Sequence, residues 1–397
     1  MNVLNFGEVT MKMAKSLLVL LLLLVSTLLF AINNNQSIEY TRTFNRNAST
    51  DVDAAFFNPA GLAFLQRNGW HVQIANQMMF QTKTVEENSA WINAYGKDEY
   101  KGDVVAYLFP DLHVVYKMDK IALYLNLMPI SGGGGGEFND GLPMFDNLLI
   151  GFMSQAAALA IPSVIAGVEA MAPGATTGNT YAMGYSRDIK FEGLEMTTAA
   201  TVGGAYKLNN RFSVAIGYRM LYVYNTYSGY AKNFQSNIAF DNAAGGDTIN
   251  STLTSSTNDA INGGWEDVEV DTVATGIGHA IVGGFHARPN NKLDIGFRFA
   301  YNFKMKSEND TSTFKGPDAL LAELSDYADG TKKYVTEPML LALGVSYKLT
   351  KEFRVEINAT YTLDDRVDRT DNVKEEYYQN KILLGAAFEY IVFTGLK

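Results

Sequence analysis

Long stretches of the chain alternate between large apolar residues and polar or small ones, with a period of two. From Leu293 to Phe303 the odd positions are apolar or aromatic, and the even positions are polar or small. Because successive side chains of a β-strand point to opposite faces, this pattern predicts strands with one apolar face. The pattern recurs strongly over 212–222, 339–349, 353–363 and 382–392, and more weakly over 70–82, 104–118, 121–130, 191–208 and 268–288. The sequence therefore predicts about ten strands.

A predominantly apolar run over 17–30 follows Lys12 and Lys15 near the N-terminus. A basic segment followed by a short apolar run is typical of a secretory signal peptide. A spanning helix needs about 20 apolar residues, so a retained anchor is the less favoured alternative. We predict a signal peptide over residues 1–31, with cleavage near Ala31.

Alternation also occurs in soluble β-sandwiches, but three features favour a membrane barrel. The predicted strands exceed the ~5–6 residues usual for a globular sheet. Tyr and Phe lie near strand ends, and the opposite face holds Gly, Ala, Ser and Arg, as in barrels with aromatic girdles. Short joints at 207–211, 288–292 and 348–352 alternate with long connections, over 131–190, 229–267, 305–333 and 364–376. The prediction is an all-β fold, a transmembrane antiparallel β-barrel over 70–397.

Composition narrows the possible functions. The chain has 12% aromatic and 19% charged residues, a formal net charge of −10 and no cysteine. The missing cysteines exclude disulfides, thiolate metal sites and cysteine nucleophiles, and the acidic charge argues against a nucleic-acid partner. The four histidines stand outside any catalytic or metal-binding motif. We therefore expect no enzyme activity, cofactor or metal.

A segment without alternation, 32–69, separates the signal peptide from the first strand. It ends with the stretch Asn58-Pro59-Ala60-Gly61-Leu62-Ala63, and an Ala-rich segment before Pro59 predicts a short helix that Pro59 ends. From its position alone, this segment belongs either in the periplasm or inside the barrel as a plug.

The stretch at 58–63 and its place ahead of the first strand resemble the FadL/TodX family of outer-membrane transporters for long-chain fatty acids and aromatic hydrocarbons. The resemblance implies that 32–69 is a hatch inside the lumen, with Asn58, Pro59, Ala60 and Gly61 as its gating element. It implies location in the outer membrane, with outer-membrane lipid and the barrel assembly machinery as partners. We expect a monomer. Family barrels have more strands and end on an aromatic residue, so we also expect a C-terminally shortened chain.

A second resemblance concerns the third predicted strand. Pro129 has no backbone N–H to donate a hydrogen bond to a neighbouring strand. Gly132 and Gly133 belong to a run of glycines that weakens strand packing. In the family, the third strand carries a kink that opens a hole in the barrel wall, and the resemblance places it here. A flexible loop that begins at Pro129 is the alternative.

Several residues are candidates for ligand binding. Phe145, Leu148 and Phe152 precede an Ala-rich stretch broken at Pro162, which predicts one or two short apolar helices in an outer loop. The resemblance implies that they form a first groove for a hydrophobic ligand, whereas simple packing over the barrel mouth is the alternative. Apolar residues at inward positions are Met79, Met128, Leu221, Leu340 and Leu383. Arg219 and Arg298 could offer charge-assisted bonds to a carboxylate.

These features lead to one hypothesis, passive transport of a hydrophobic small molecule, with a fatty acid as the first candidate. The ligand would enter near 140–170, pass an apolar lumen pocket gated by the hatch, and leave near Pro129. Two alternatives remain: a surface-exposed structural, adhesin or antigen barrel, and a general porin.

Overall fold

The computed structural model describes residues 37–88, 99–132, 135–367 and 379–390. The predicted signal peptide and Gly133 lie outside these residues. One antiparallel sheet dominates the described part, and ten strands form its continuous path. In their order along this path, the strands are β1 (Gly69–Glu86), β2 (Glu99–Met118), β3 (Ile121–Gly132), β6 (Tyr185–Lys207), β7 (Phe212–Ser236), β9 (Val268–Asn290), β10 (Leu293–Asn302), β13 (Met339–Lys348), β14 (Phe353–Leu363) and β15 (Lys381–Tyr390). The antiparallel sheet and its predicted strands are thus confirmed.

Shorter strands extend this sheet or lie beside it. β4 (Gly135–Phe138) pairs with β2 and β6, β11 (Lys306–Lys315) pairs with β9, and β12 (Lys332–Tyr334) pairs with β11. A separate two-stranded sheet joins β5 (Thr180–Ala182) to β8 (Ala239–Asp241). The helices are α1 (Ile38–Thr43), α2 (Ala54–Phe57), α3 (Pro143–Met171), α4 (Asp247–Asn262) and α5 (Asp318–Glu323), with 3₁₀ turns at Pro59–Phe64, Ser325–Tyr327 and Asp364–Arg366.

The burial of the strands is inverted relative to a soluble sheet. On β7 the apolar Ile216 is 68% exposed, whereas the charged Arg219 is only 4% exposed. On β10 the buried positions are Asp294, Gly296, Arg298 and Ala300, and the apolar residues between them are less buried. An outward apolar face beside a polar inner face is the arrangement of strands whose surroundings are lipid.

The inner face of the sheet surrounds residues 37–65, which we call the inner segment. Its residues contact all ten strands of the path, from Gln73 of β1 to Glu389 of β15. A segment of this size can contact every strand only if the sheet curls around it. The fold is therefore a barrel-like wall with a filled interior.

The wall has a seam between its first and last strands. Among the described residues, no ladder joins β1 to β15. Helix α1 of the inner segment contacts both edges: Gln73 of β1 donates to Glu39 at 2.6 Å, and Arg42 pairs with Glu389 of β15 at 2.7 Å. Polar side chains of one short helix thus connect the two edges.

Two details of the outer connections differ from the sequence-based expectation. Strand β6 already begins at Tyr185, β7 continues to Ser236, and β11 lies within the loop predicted at 305–333. These outer ends carry no regular period-two stripe in the sequence, although their backbone ladders continue. Pro162 does not break the helix, because α3 is 29 residues long with Pro162 inside it, and it packs on the loop core through Met153, Ala157 and Ile161.

The inverted burial generates a test at Ile216. In a bilayer, Ile216→Arg should lower the free energy of unfolding by about 2–4 kcal/mol near the midplane. At a water-exposed strand position the change should stay within about 0.5 kcal/mol. Urea unfolding in lipid vesicles measures it, with Ile216→Leu as the matched control. Equal stability of both variants would contradict a lipid-facing wall.

Candidate functional site

A buried ion pair forms the centre of the inner segment. The Arg46 side chain is fully buried, and its Nε and Nη2 donate to the two carboxylate oxygens of Asp53, each at 2.7 Å. The hydroxyls of Ser37 and Ser49 also donate to this carboxylate, each at 2.8 Å. Burial alone would raise the pKa of Asp53, but Arg46 and the hydroxyls hold that pKa below its ordinary value. The bidentate geometry fixes the backbone of 46–53 as one unit.

Asn58 connects the inner segment to the wall. Its Nδ2 donates to the Ser49 carbonyl at 2.8 Å and to His286 Nδ1 of β9 at 2.8 Å. With Nδ1 as acceptor, the neutral imidazole carries its proton on Nε2, which lies 3.0 Å from Asp294 of β10. Arg288 donates to the same carboxylate oxygen at 2.6 Å. The chain from Ser49 to Arg288 is continuous and largely buried.

The residues after Asn58 fit tightly against the wall. The helix predicted before Pro59 is present as α2, and Pro59 opens the 3₁₀ turn, where its missing N–H is not needed. The Ala60 carbonyl accepts from Ser213 of β7 at 2.6 Å. A Cβ on Gly61 would lie 2.2 Å from the Ser49 carbonyl oxygen, so only glycine fits there. The four residues predicted as the gate thus lie together at the contact with β7 and β9.

Two arginines point from the wall to the inner segment. Arg219 and Arg298 are 4% and 5% exposed, and their guanidinium carbons lie 5.2 and 4.7 Å from the centre of the Phe56 ring. Arg298 Nη1 donates to the Phe56 carbonyl at 2.6 Å, and Arg219 Nε donates to Thr201 at 3.0 Å. Within the described residues neither has a carboxylate within 4.0 Å, and Arg298 Nε has no hydrogen-bond partner. Two buried cations are thus held by neutral groups.

The described ladder between β2 and β3 is interrupted. It runs from Met118↔Ile121 to Leu112↔Leu127, and on that side β2 pairs again at Val105, with β4. Beyond Leu127, β3 continues on β6 with a register shift after Pro129. Among the described residues, 106–109 of β2 have no ladder partner on this side.

Gly132 makes the turn at the end of β3. Its φ of +76° is in the left-handed region, and a Cβ there would lie 1.9 Å from the Glu195 carbonyl oxygen. Only glycine accommodates both the conformation and the close approach. Pro129 and Gly132 thus border the interruption on β3.

An apolar groove lies on the inner face at the outer end of the wall. The groove is open to solvent, and the non-atom space in it, solvent at its mouth included, is about 390 Å³. Its lining comes from α3, the long strands β6, β7 and β9, and the loop after α5: Phe145, Phe191, Tyr227, Ser228, Gly229, Tyr230, Ala231, Val268, Val270, Leu324 and Tyr327. Many aromatic side chains and few polar groups suit an uncharged or weakly polar ligand.

Helix α3, which carries Phe145, is anchored at its first turn. Its Asp146 is 1% exposed and accepts from Arg187 Nε and Nη2, each at 2.8 Å, and from Tyr100 and Tyr185. Burial opposes ionisation, but these donors hold the pKa of Asp146 below its ordinary value. Among the described residues α3 is the one helix long and apolar enough to cross a membrane, and in this structure it packs on α4.

The other predicted ligand residues do not form one site. Met128 packs with Phe56 and Phe57, and Leu221 with Ala199, Val223 and Met305. Leu148 and Phe152 pack in the loop core, so of the three α3 residues Phe145 alone lines the groove. Met79, Leu340 and Leu383 are half-buried on β1, β13 and β15 and join none of the described apolar clusters. The predicted set is therefore divided between the groove, the arginine pair and isolated wall positions.

Sequence reasoning missed several residues of these sites. Arg46 and Asp53 lie seven residues apart, and their opposite charges within one short segment were the available signal. Nothing in the local sequence indicated that Phe56 would contact Arg219 and Arg298, because these arginines lie on two strands distant in sequence. Four groove residues, Phe191, Tyr227, Tyr230 and Tyr327, are brought together only by strand register and loop packing.

No protein-family model and no curated protein matches the chain. Similar folds occur among solved structures. The Pseudomonas putida toluene transporter TodX is 10% identical, with a TM-score of 0.46 over 88% of this chain and 73% of that one. The Ralstonia pickettii toluene transporter TbuX is 11% identical, with a TM-score of 0.47 over 86% and 78%. A Pseudomonas aeruginosa FadL homologue is 12% identical, with a TM-score of 0.47 over 87% and 73%. At this level of similarity no function can be transferred, so function is inferred from the residues of this chain.

The ion pair generates a test of the inner segment. Arg46→Met leaves Asp53 buried without its cation, which should destabilise the inner segment by about 3–5 kcal/mol. We expect faster protease cleavage within 37–65 in folded protein, measured by mass spectrometry. The double variant Arg46→Met with Asp53→Leu removes both charges and should recover most of the protection. Unchanged cleavage in Arg46→Met would show that the ion pair does not hold this segment.

Proposed function

We propose that this protein is a passive outer-membrane transporter for hydrophobic small molecules, with long-chain fatty acids as the first candidate. The observation that carries the proposal is the position of the inner segment, which fills a lipid-facing wall below an apolar groove. A general porin would need an open, charged lumen, whereas here Phe56, Phe57 and Leu62 occupy the interior. The inner segment would act as the hatch.

The groove suits a first binding site. Phe145, Tyr230 and Tyr327 provide apolar contact area at the outer end, where a ligand from outside arrives first. Burial of apolar surface gives about 25 cal/mol per Å², so a long alkyl chain could bind there without polar anchors. Its affinity would then depend on chain length.

The arginine pair suits the carboxylate of a fatty acid. Arg219 and Arg298 bind the inner segment through a ring face and one backbone carbonyl, which are weaker partners than a carboxylate. A carboxylate that takes these positions would displace Phe56. Ligand binding would in this way favour movement of the hatch.

The interruption between β2 and β3 suits the exit. It lies beside Met128 and Pro129, and Met128 contacts Phe56 and Phe57 of the inner segment. A ligand released from the arginine pair would reach this gap in the wall directly after the hatch moves. The ligand's concentration gradient would drive the overall process.

Uptake of labelled ligand into lipid vesicles tests the proposal. Vesicles with the protein should take up labelled fatty acid faster than empty vesicles. The double variant Arg219→Met with Arg298→Met should lower fatty-acid uptake by about tenfold, because a charge-assisted hydrogen bond contributes about 1.5–3 kcal/mol. Uptake of an alkane of equal length should not change. An equal loss for both ligands would contradict a carboxylate site, and equal uptake by empty vesicles would contradict transport.

Cross-linking tests the movement of the hatch. The chain has no cysteine, so Arg42→Cys with Glu389→Cys introduces two specific thiols at a contact between the inner segment and β15. A short, cleavable thiol cross-linker should stop uptake, and cleavage of the linker should restore it. The single-cysteine variants, treated identically, are the controls. Full uptake by cross-linked protein would show that α1 does not move during transport.

A further inference from the structure

A row of buried polar side chains crosses the inner faces of four neighbouring strands. Strand register places His113 of β2 opposite Asn126 of β3, Asn126 opposite Thr201 of β6, and Thr201 opposite Arg219 of β7. All four are buried. Asn126 Nδ2 lies 3.1 Å from His113 Nδ1, and Arg219 Nε lies 3.0 Å from the Thr201 hydroxyl. The row thus leads from the arginine pair toward the interrupted ladder.

Several atoms along this row have no hydrogen-bond partner. Because Asn126 donates to His113 Nδ1, the neutral imidazole carries its proton on Nε2, and this N–H is unpaired. Asp111 Oδ1, 3.5 Å from Nε2, is unpaired as well, and so are Asn126 Oδ1 and the Tyr124 hydroxyl. Unpaired buried polar groups destabilise a fold and are rare in native proteins. Their concentration on β2 and β3 indicates a use other than wall stability.

Tyr124 lies apart from the other three groups. Its ring lies against Gly203 and Gly217, which face each other across β6 and β7, and a Cβ on either glycine would lie within 2.5 Å of Tyr124 atoms. Its hydroxyl therefore lies over β6 and β7, whereas His113, Asp111 and Asn126 lie on β2 and β3. Helix α2 contacts β2 and β3, so movement of α2 would uncover these three side chains.

We propose that His113, Asn126 and Asp111 bind the uncharged hydroxyl head group of an amphipathic ligand. His113 Nε2–H can donate, and the Asn126 and Asp111 oxygens can accept. A hydroxyl both donates and accepts, so it complements this set. An alkane would leave all three unpaired, and the carboxylate of Asp111 disfavours an anionic head group. This inference rests on the proposed function, since α2 must move to admit the ligand.

Equilibrium binding of three labelled ligands to the full chain in nonionic detergent tests the inference. We expect the protein to bind 1-dodecanol about fivefold more tightly than dodecane, the ratio that one net hydrogen bond gives. As a control, Tyr222→Phe removes a hydroxyl from the exposed outer face and should change neither affinity.

The test variant, His113→Phe with Asn126→Leu, removes both members of a hydrogen-bonded pair, so neither substitution leaves the other side chain without its partner. It should abolish the preference for dodecanol over dodecane. Dodecanoate, the third ligand, should bind this variant as before, because it depends on the arginine pair. Equal affinity of the unaltered protein for dodecanol and dodecane, or an unchanged preference in the double variant, would overturn the hydroxyl site and leave transport standing. Absence of binding of all three ligands would overturn the proposed function itself.

Discussion

The structure depends on the placement of apolar side chains on the outside of the wall, which forces its polar side chains inward. An inward Asp294 or Arg298 in a narrow interior needs partners, because an unpaired buried charge is strongly destabilising. His286 and Arg288 of β9 are the partners of Asp294. The inner segment supplies partners for His286 through Asn58 and for Arg298 through the Phe56 carbonyl. The wall and the inner segment are therefore one structure. The lipid-facing exterior places polar side chains inside, and these side chains need the inner segment as a hydrogen-bonding partner.

Not all of these partners are equally strong. Asp53 and Arg46 pair within the inner segment, so this part of its internal structure does not depend on the wall. Its buried contacts with the wall are weaker: an amide to an imidazole, a hydroxyl to a carbonyl, and two guanidinium groups against one ring. The charged contacts of α1 with β1 and β15 are partly exposed to solvent, which weakens them. A rigid unit held by moderate contacts can move as a unit, which suits a gate better than a segment that must unfold.

The strongest internal contrast lies between the groove and the lumen. The groove at the outer end is lined by aromatic and aliphatic side chains, whereas the inner faces of β2, β3 and β10 carry unpaired donors and acceptors under the inner segment. An amphipathic ligand matches both regions, its chain in the first and its head group in the second. A purely apolar ligand matches only the groove. The order of the two regions along the wall is thus the order in which the two parts of such a ligand would be recognised.

Local patterns in the sequence determined the strands, their apolar face and the short helix before Pro59, because side-chain alternation and proline geometry act over a few residues. They also indicated Arg219 and Arg298 as inward cations, since the period of two assigns each position to a face. The groove, the pairing of Asn58 with His286, and the use of Phe56 between two arginines were decided by tertiary structure. Each joins residues tens or hundreds of positions apart, and strand register, which brings them together, depends on the whole sheet. The predicted break at Pro162 failed for the same reason: packing against α4 stabilises a helix that its local sequence would interrupt.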